Sequence, residues 1–326
     1  MIVGHEEPVA AFLDAAQSGR MHHAWMLTGP QGVGKATFAL AAARWLLADA
    51  AGPRVPRDRL DVPDGHPVSS LLEAGSHPDF KLLQRLPRAN SDELARSINV
   101  EQVRGLQPLF ATTPSLSSRR VVVIDAIDDM ERAGANALLK NLEEPPAGTI
   151  FLAVSHAPGR LLPTIRSRCR VLRFGPLEEA QVRVVLRRAL PESDDREIDS
   201  LVRVAEGSPG NALRFAGLDI AGLDAAIETL AARGDSSNAL RTALGRALAL
   251  KSAQPRYEAF LERAPSHIAA AARRGKEDIG DTVALWRQAR DIADRAVRLS
   301  LDPQMTVVEI AGLVAKLAHT ETAAKG

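Results

Sequence analysis

Residues 29–37 read Gly29-Pro30-Gln31-Gly32-Val33-Gly34-Lys35-Ala36-Thr37, the Gly-x4-Gly-Lys spacing of a phosphate-cradling P-loop. Glycines at 29, 32 and 34 let backbone N–H groups approach phosphate oxygens with no Cβ in the way. Lys35 would reach the terminal phosphates, and the helix that follows presents its positive end to the same charge. The hydroxyl that normally follows the lysine and holds Mg²⁺ is missing, because position 36 is Ala36. Thr37 is one residue further on, about 100° around the helix, and is not a simple substitute. Further along, Val121-Val122-Val123-Ile124-Asp125 is an apolar run ending in a carboxylate suited to metal-bound water, and the next residue is Ala126 where many P-loop ATPases carry a water-activating Glu. The cradle is therefore present while the hydrolytic groups are not. The residues leave open whether nucleotide still occupies it, and with Ala36 and Ala126 together Asp125 reads as a helix-capping or loop residue rather than a catalytic one.

These groups need a strand before the glycine loop and a helix after it. His23-Ala24-Trp25-Met26-Leu27 supplies the strand, and Phe38, Ala41, Ala42, Trp45 and Leu46 fall at helical spacing over 36–48. Residues 49–76, with Pro53, Pro56, Pro63 and Pro67, read as a loop excursion. Strands are predicted at 79–83, 121–124, 150–154 and 171–174. Helices are predicted at 100–109 and 132–144, the latter stopped by Pro145-Pro146. Alternating strands and helices imply a mostly parallel sheet covered on both faces, an α/β P-loop domain over 1–175. Beyond Gly175-Pro176 only helices are expected, in a small helical domain over 176–216 and an all-α domain over 217–326. In the last of these, Leu285, Trp286, Ala289, Ile292, Ala293, Ala296 and Val297 form one stripe.

The bulk numbers restrict function. Forty-one Lys and Arg against 40 Asp and Glu give a net charge of +1, so no global field favours nucleic acid or a membrane surface. A single cysteine, Cys169, rules out an intrachain disulfide or a cysteine zinc site, and suits a reducing cytoplasm. No signal peptide or membrane span is visible. Taken alone, Arg168 in Ser167-Arg168-Cys169 reads as a surface loop arginine, Cys169 as a small apolar filler, and His77 as structural. Trp25, Trp45 and Trp286 read as core, Asp128 and Asp129 as solvated, and Arg183, Arg187 and Arg188 as a solvated helix face.

Several stretches together resemble the delta-prime family of bacterial DNA polymerase III clamp-loader subunits, in the AAA+ class. They are His22-His23-Ala24-Trp25 before the glycine loop, Gly75-Ser76-His77-Pro78-Asp79-Phe80, Ala137-Leu138-Leu139-Lys140-Asn141-Leu142-Glu143-Glu144-Pro145-Pro146, Ile165-Arg166-Ser167-Arg168-Cys169-Arg170 and Gly207-Ser208-Pro209-Gly210. The likeness is strong over about the first 215 residues. It implies an AAA+ domain, a helical lid and a helical collar. It also implies a place in a hetero-pentamer with gamma/tau ATPase subunits and a delta subunit, acting on the sliding clamp and primer-template DNA in the cytoplasm at the replisome. In that family the Ser-Arg-Cys arginine completes a neighbour's ATP site, which makes Arg168 a catalytic group in trans and reverses the spacing-only reading. Gly29, Gly32, Gly34, Lys35, Thr37 and Asp125 become a nucleotide site, vestigial if the losses at Ala36 and Ala126 decide. A third loss is Gly210, where related ATPase subunits carry a nucleotide-sensing Arg. No cofactor is required on this reading, ATP being the one ligand the cradle suits. No zinc is expected, since 49–76 lacks the four cysteines of many relatives. A non-hydrolysing subunit is the main expectation; an ATPase active in its own right and a direct DNA-binding module are the alternatives.

Overall fold

The structure, a computed structural model, describes residues 2–88, 94–274 and 279–318. The first compact unit comprises residues 1–191 and 205–211. Its elements in chain order are α1 (Glu6–Gln17), β1 (Ala24–Thr28), α2 (Lys35–Ala51), α3 (Pro67–Glu73), β2 (Phe80–Gln84), α4 (Val100–Arg104), α5 (Gln107–Phe110), β3 (Arg120–Asp125), α6 (Arg132–Glu143), β4 (Thr149–Ser155), α7 (Pro163–Arg166), β5 (Arg170–Arg173) and α8 (Glu179–Ala189). The strands form one sheet in the order β2-β3-β4-β1-β5. Every pairing is parallel, for instance Trp25 opposite Leu152 and Val123 opposite Leu152. The predicted parallel sheet is therefore present.

Period-two alternation divides the sides of β1. Ala24 and Met26 join a core with Val122, Ile124, Phe151, Leu138 and Val103. Trp25, between them, packs edge-on against Phe12 of α1 at 5.3 Å, and Phe12 in turn meets Phe38 of α2 at 5.5 Å. Burial on both faces explains why β1 and β4 read as unbroken apolar runs. The sheet ends differently at β5, which has four residues, with Arg170, Val171 and Arg173 exposed and only Leu172 buried.

Two local expectations need correction. The excursion at 49–76 contains a helix, α3, started by His66, whose imidazole accepts from the amide of Val68, with Pro67 at the first helical position. The helix predicted over 100–109 is two: α4 ends at Arg104 with Gly105 as its cap, and Gln107-Pro108 begins a new turn.

The second unit comprises residues 192–204 and those from 212 onward. Among its described residues it is helical throughout: α9 (Asp195–Ala205, its last residue in the other unit), α10 (Pro209–Leu213, its first residues in the other unit), α11 (Ile220–Arg233), α12 (Ala239–Leu248), α13 (Gln254–Arg274), α14 (Ile279–Leu299) and α15 (Pro303–Ala315). Its core gathers Leu223, Ile227, Phe260, Ile268, Ala289 and Ile310. Arg263 of α13 grips Asp224 of α11 with two hydrogen bonds of 2.6 Å. Trp286 contradicts its predicted core placement. It is 36% exposed, because the buried stripe of α14 runs through Ala289, Ile292, Ala293 and Ala296 and leaves position 286 on its margin.

Candidate functional site

The glycine loop joins β1 to α2 and adopts the backbone that only glycine adopts freely. Gly29 has φ +145°, and a Cβ there would overlap the Phe174 carbonyl oxygen. Gly32 has φ +78°, and a Cβ there would lie 2.7 Å from the Asn211 amide nitrogen. The loop is also braced from outside. Gly210 donates its N–H to the Gly32 carbonyl at 2.8 Å. The His5 imidazole lies 2.9 Å from the Val33 carbonyl, with its ring edge-on to Phe174.

Lys35 is 3% exposed and donates from Nζ to the carbonyls of Gly29 at 2.7 Å and Pro30 at 2.5 Å. Its ammonium is thus bonded to the loop itself. Burial lowers its pKa to about 8, against the opposing pull of Asp128 and Asp125. Asp125, half-buried at the end of β3, is pushed up by burial, only partly countered by His156, Lys35 and Arg85. Ala126 behind it is buried, Ala36 is half-buried, and Thr37 is exposed on α2. No hydroxyl or second carboxylate from positions 36 and 126 therefore enters the site.

Asp128 was expected to be solvated, and the structure corrects this. Its carboxylate turns back to the end of β4, accepting from the Ser155 hydroxyl at 3.0 Å and from the amides of His156 at 2.7 Å and Ala157 at 3.1 Å. Asp129 is half-buried and pairs with Arg85 at 3.1 Å. His156 joins the same cluster, its pKa lowered by burial and by Lys35. Sequence reasoning missed it; its one signal was its place directly after the apolar run of β4. Among the described residues no group of three or more His, Cys, Asp and Glu side chains is arranged to hold a metal, and no helix is long and apolar enough to cross a membrane.

Arg168 lies apart from this cluster, in the turn between α7 and β5. Its side chain is 34% exposed. Nη2 meets Glu143 Oε1 at 2.8 Å, and Nη1 donates to the Thr164 carbonyl at 2.9 Å and more weakly to Ser167 Oγ at 3.4 Å. Cys169 beside it packs against the core, and burial raises its thiol to about 11, as a filler rather than a nucleophile. His77 is likewise structural: its Nδ1 accepts from the Asp79 amide at 3.1 Å.

A five-stranded parallel sheet whose β1 turns through a glycine loop into a lysine-led helix defines a P-loop domain. The family model described as "DNA polymerase III, delta subunit" matches residues 4–178, and the chain belongs to that family. Among relatives, DNA polymerase III subunit delta' of Pseudomonas aeruginosa is 38% identical over 196 residues, 60% of this chain and 56% of that protein. The Escherichia coli subunit delta' is 34% identical over 203 residues, 60% of this chain and 55% of its own length. The chain thus matches little more than half the length of these curated relatives. The Escherichia coli subunit tau is 30% identical over 280 residues, 85% of this chain and 40% of that protein. Among solved structures, a DNA polymerase III gamma subunit-related protein from Thermotoga maritima covers 94% of this chain and 99% of its own at 15% identity and a TM-score of 0.44.

Proposed function

We propose that this chain is a non-hydrolysing subunit of a clamp loader and that Arg168 completes the ATP site of an adjacent ATPase subunit. The reading rests on a contrast between two cations. Lys35 is buried and bonded to its own loop, whereas Arg168 stands at the surface on a turn. The partners on this reading are gamma/tau and delta subunits in a pentamer, with the sliding clamp and primed DNA engaged through the complex in the cytoplasm. The region from 176 to 216 would act as the lid and the region from 217 onward as the collar. A guanidinium delivered to a γ-phosphate is worth roughly 10³–10⁵ in rate. Arg168→Ala should therefore leave folding and assembly intact while sharply lowering the DNA-stimulated ATPase of the reconstituted complex. An unchanged rate in a complex of normal composition defeats the reading. Turnover by the isolated chain that is abolished by Lys35→Ala would establish the alternative, an ATPase active in its own right.

A further inference from the structure

The ion pair between Arg168 and Glu143 joins two segments that are distant along the chain. Glu143 is the last residue of α6, Arg168 follows α7, and strand β4 intervenes. Glu143 does not serve its own helix. A carboxylate in the final turn opposes the helix dipole, and Lys140 is the only basic residue there. The side chains are 48% and 34% exposed, so water reaches both partners. The contact is short but not sealed.

A carboxylate and a phosphoryl group present the same chemistry to a guanidinium: paired anionic oxygens that accept from its fork of N–H donors. Nη2 is engaged by Glu143, and Nη1 is held by the Thr164 carbonyl. A phosphate that takes the Nη2 edge of Arg168 competes with the Glu143 carboxylate for it. We infer that Glu143 is a positioning residue that parks Arg168 until a neighbouring nucleotide's γ-phosphate competes for it. This inference rests on the trans role of Arg168 proposed above. Glu143 holds the arginine in one rotamer in the free chain and opposes its transfer. An exposed pair of this kind biases such an exchange by up to about fivefold, enough to delay engagement and too little to prevent it.

The test is the DNA-stimulated ATPase of the reconstituted complex carrying Glu143→Gln, Arg168→Ala or both. Glu143→Gln is isosteric at an exposed position, and thermal melting of each variant chain confirms its folding; Glu143→Ala provides a second replacement. The expected result is that Glu143→Gln and Glu143→Ala raise kcat/KM by about two- to fivefold. Glu143→Asp should stay near wild type, and Glu143→Gln should have no effect once Arg168 is Ala. An ion pair that only stabilised the fold would lower the melting temperature of Glu143→Gln and would not raise the rate. If Arg168→Ala lowers the rate but Glu143→Gln leaves it unchanged or lowers it, the parking role is overturned and the trans role stands. If Arg168→Ala itself changes nothing, the proposed function fails, and the inference with it.

Discussion

Gly210 and Gly32 touch backbone to backbone. The Gly210 amide donates to the Gly32 carbonyl at 2.8 Å, and a Cβ at 210 would lie 2.7 Å from Gly32 Cα. The atoms in the way are backbone, which cannot swing aside as a flexible side chain would. Gly210→Ala should therefore cost about 1–3 kcal/mol in urea unfolding, the usual toll of overpacking. Gly210→Arg, a bulkier replacement at the same approach, should destabilise at least as much. A variant as stable as wild type would show that this approach is not fixed.

Lys35 gives a pH dependence with a definite sign. A base whose pKa falls on folding, here from 10.5 to about 8, is protonated in the unfolded chain but not in the folded one between those values. The unfolded state then binds more protons, so stability rises with pH across that window and is lowest below about pH 8. Lys35→Met lacks this titration. The difference in unfolding free energy between wild type and Lys35→Met should move in favour of wild type as pH is raised from about 8 towards 10. A difference that stays flat over that range contradicts a neutralised, buried amine.

The sole cysteine offers a chemical probe. Burial lifts the Cys169 thiol from 9.0 to about 11, so little thiolate is present near neutrality. Iodoacetamide at about pH 8 should alkylate the folded chain at least tenfold more slowly than the urea-unfolded chain, for lack of both thiolate and access. Comparable rates, followed by mass spectrometry, would show that the turn before β5 opens freely.

Asp79 tests the framework beneath the site. It is fully buried, accepts from the amides of Ser115 at 2.7 Å and Leu116 at 2.9 Å, and lies 4.0 Å from the buried guanidinium of Arg120. Asp79→Ala would strand a buried cation and two amides, at a cost of about 3–5 kcal/mol. Equilibrium denaturation measures this directly, and a loss below about 1 kcal/mol would mean that Arg120 finds another partner.

The parts legible in the sequence were those in which a local pattern carries its own physics. The glycine loop, the apolar strands and the helix stop at Pro145-Pro146 each announce themselves within a few residues. What was hidden depended on topology. Asp128 looked solvated because nothing local reveals that β3 and β4 lie side by side, which brings the end of β4 to its carboxylate. Glu143 stood only as part of the Leu142-Glu143-Glu144-Pro145-Pro146 stretch, with no role of its own, because its partner is reached only across β4. His156 had no signal beyond its place after a strand. Trp286 failed for another reason: a helical stripe identifies an apolar face, but a residue at its margin can stay partly in solvent, and tryptophan is large enough to do so while still contributing apolar area.

The short strand β5 has a consequence for how the molecule behaves in company. An unpaired sheet margin invites an extended segment of another chain to add itself. Here the invitation is weak, since four residues provide few ladder bonds and the exposed positions include Arg170 and Arg173. An incoming strand would bring its own backbone up against two cations. The sheet is thereby discouraged from recruiting a sixth member, and the Arg168 turn can face outward without the margin beside it zipping indiscriminately onto whatever approaches.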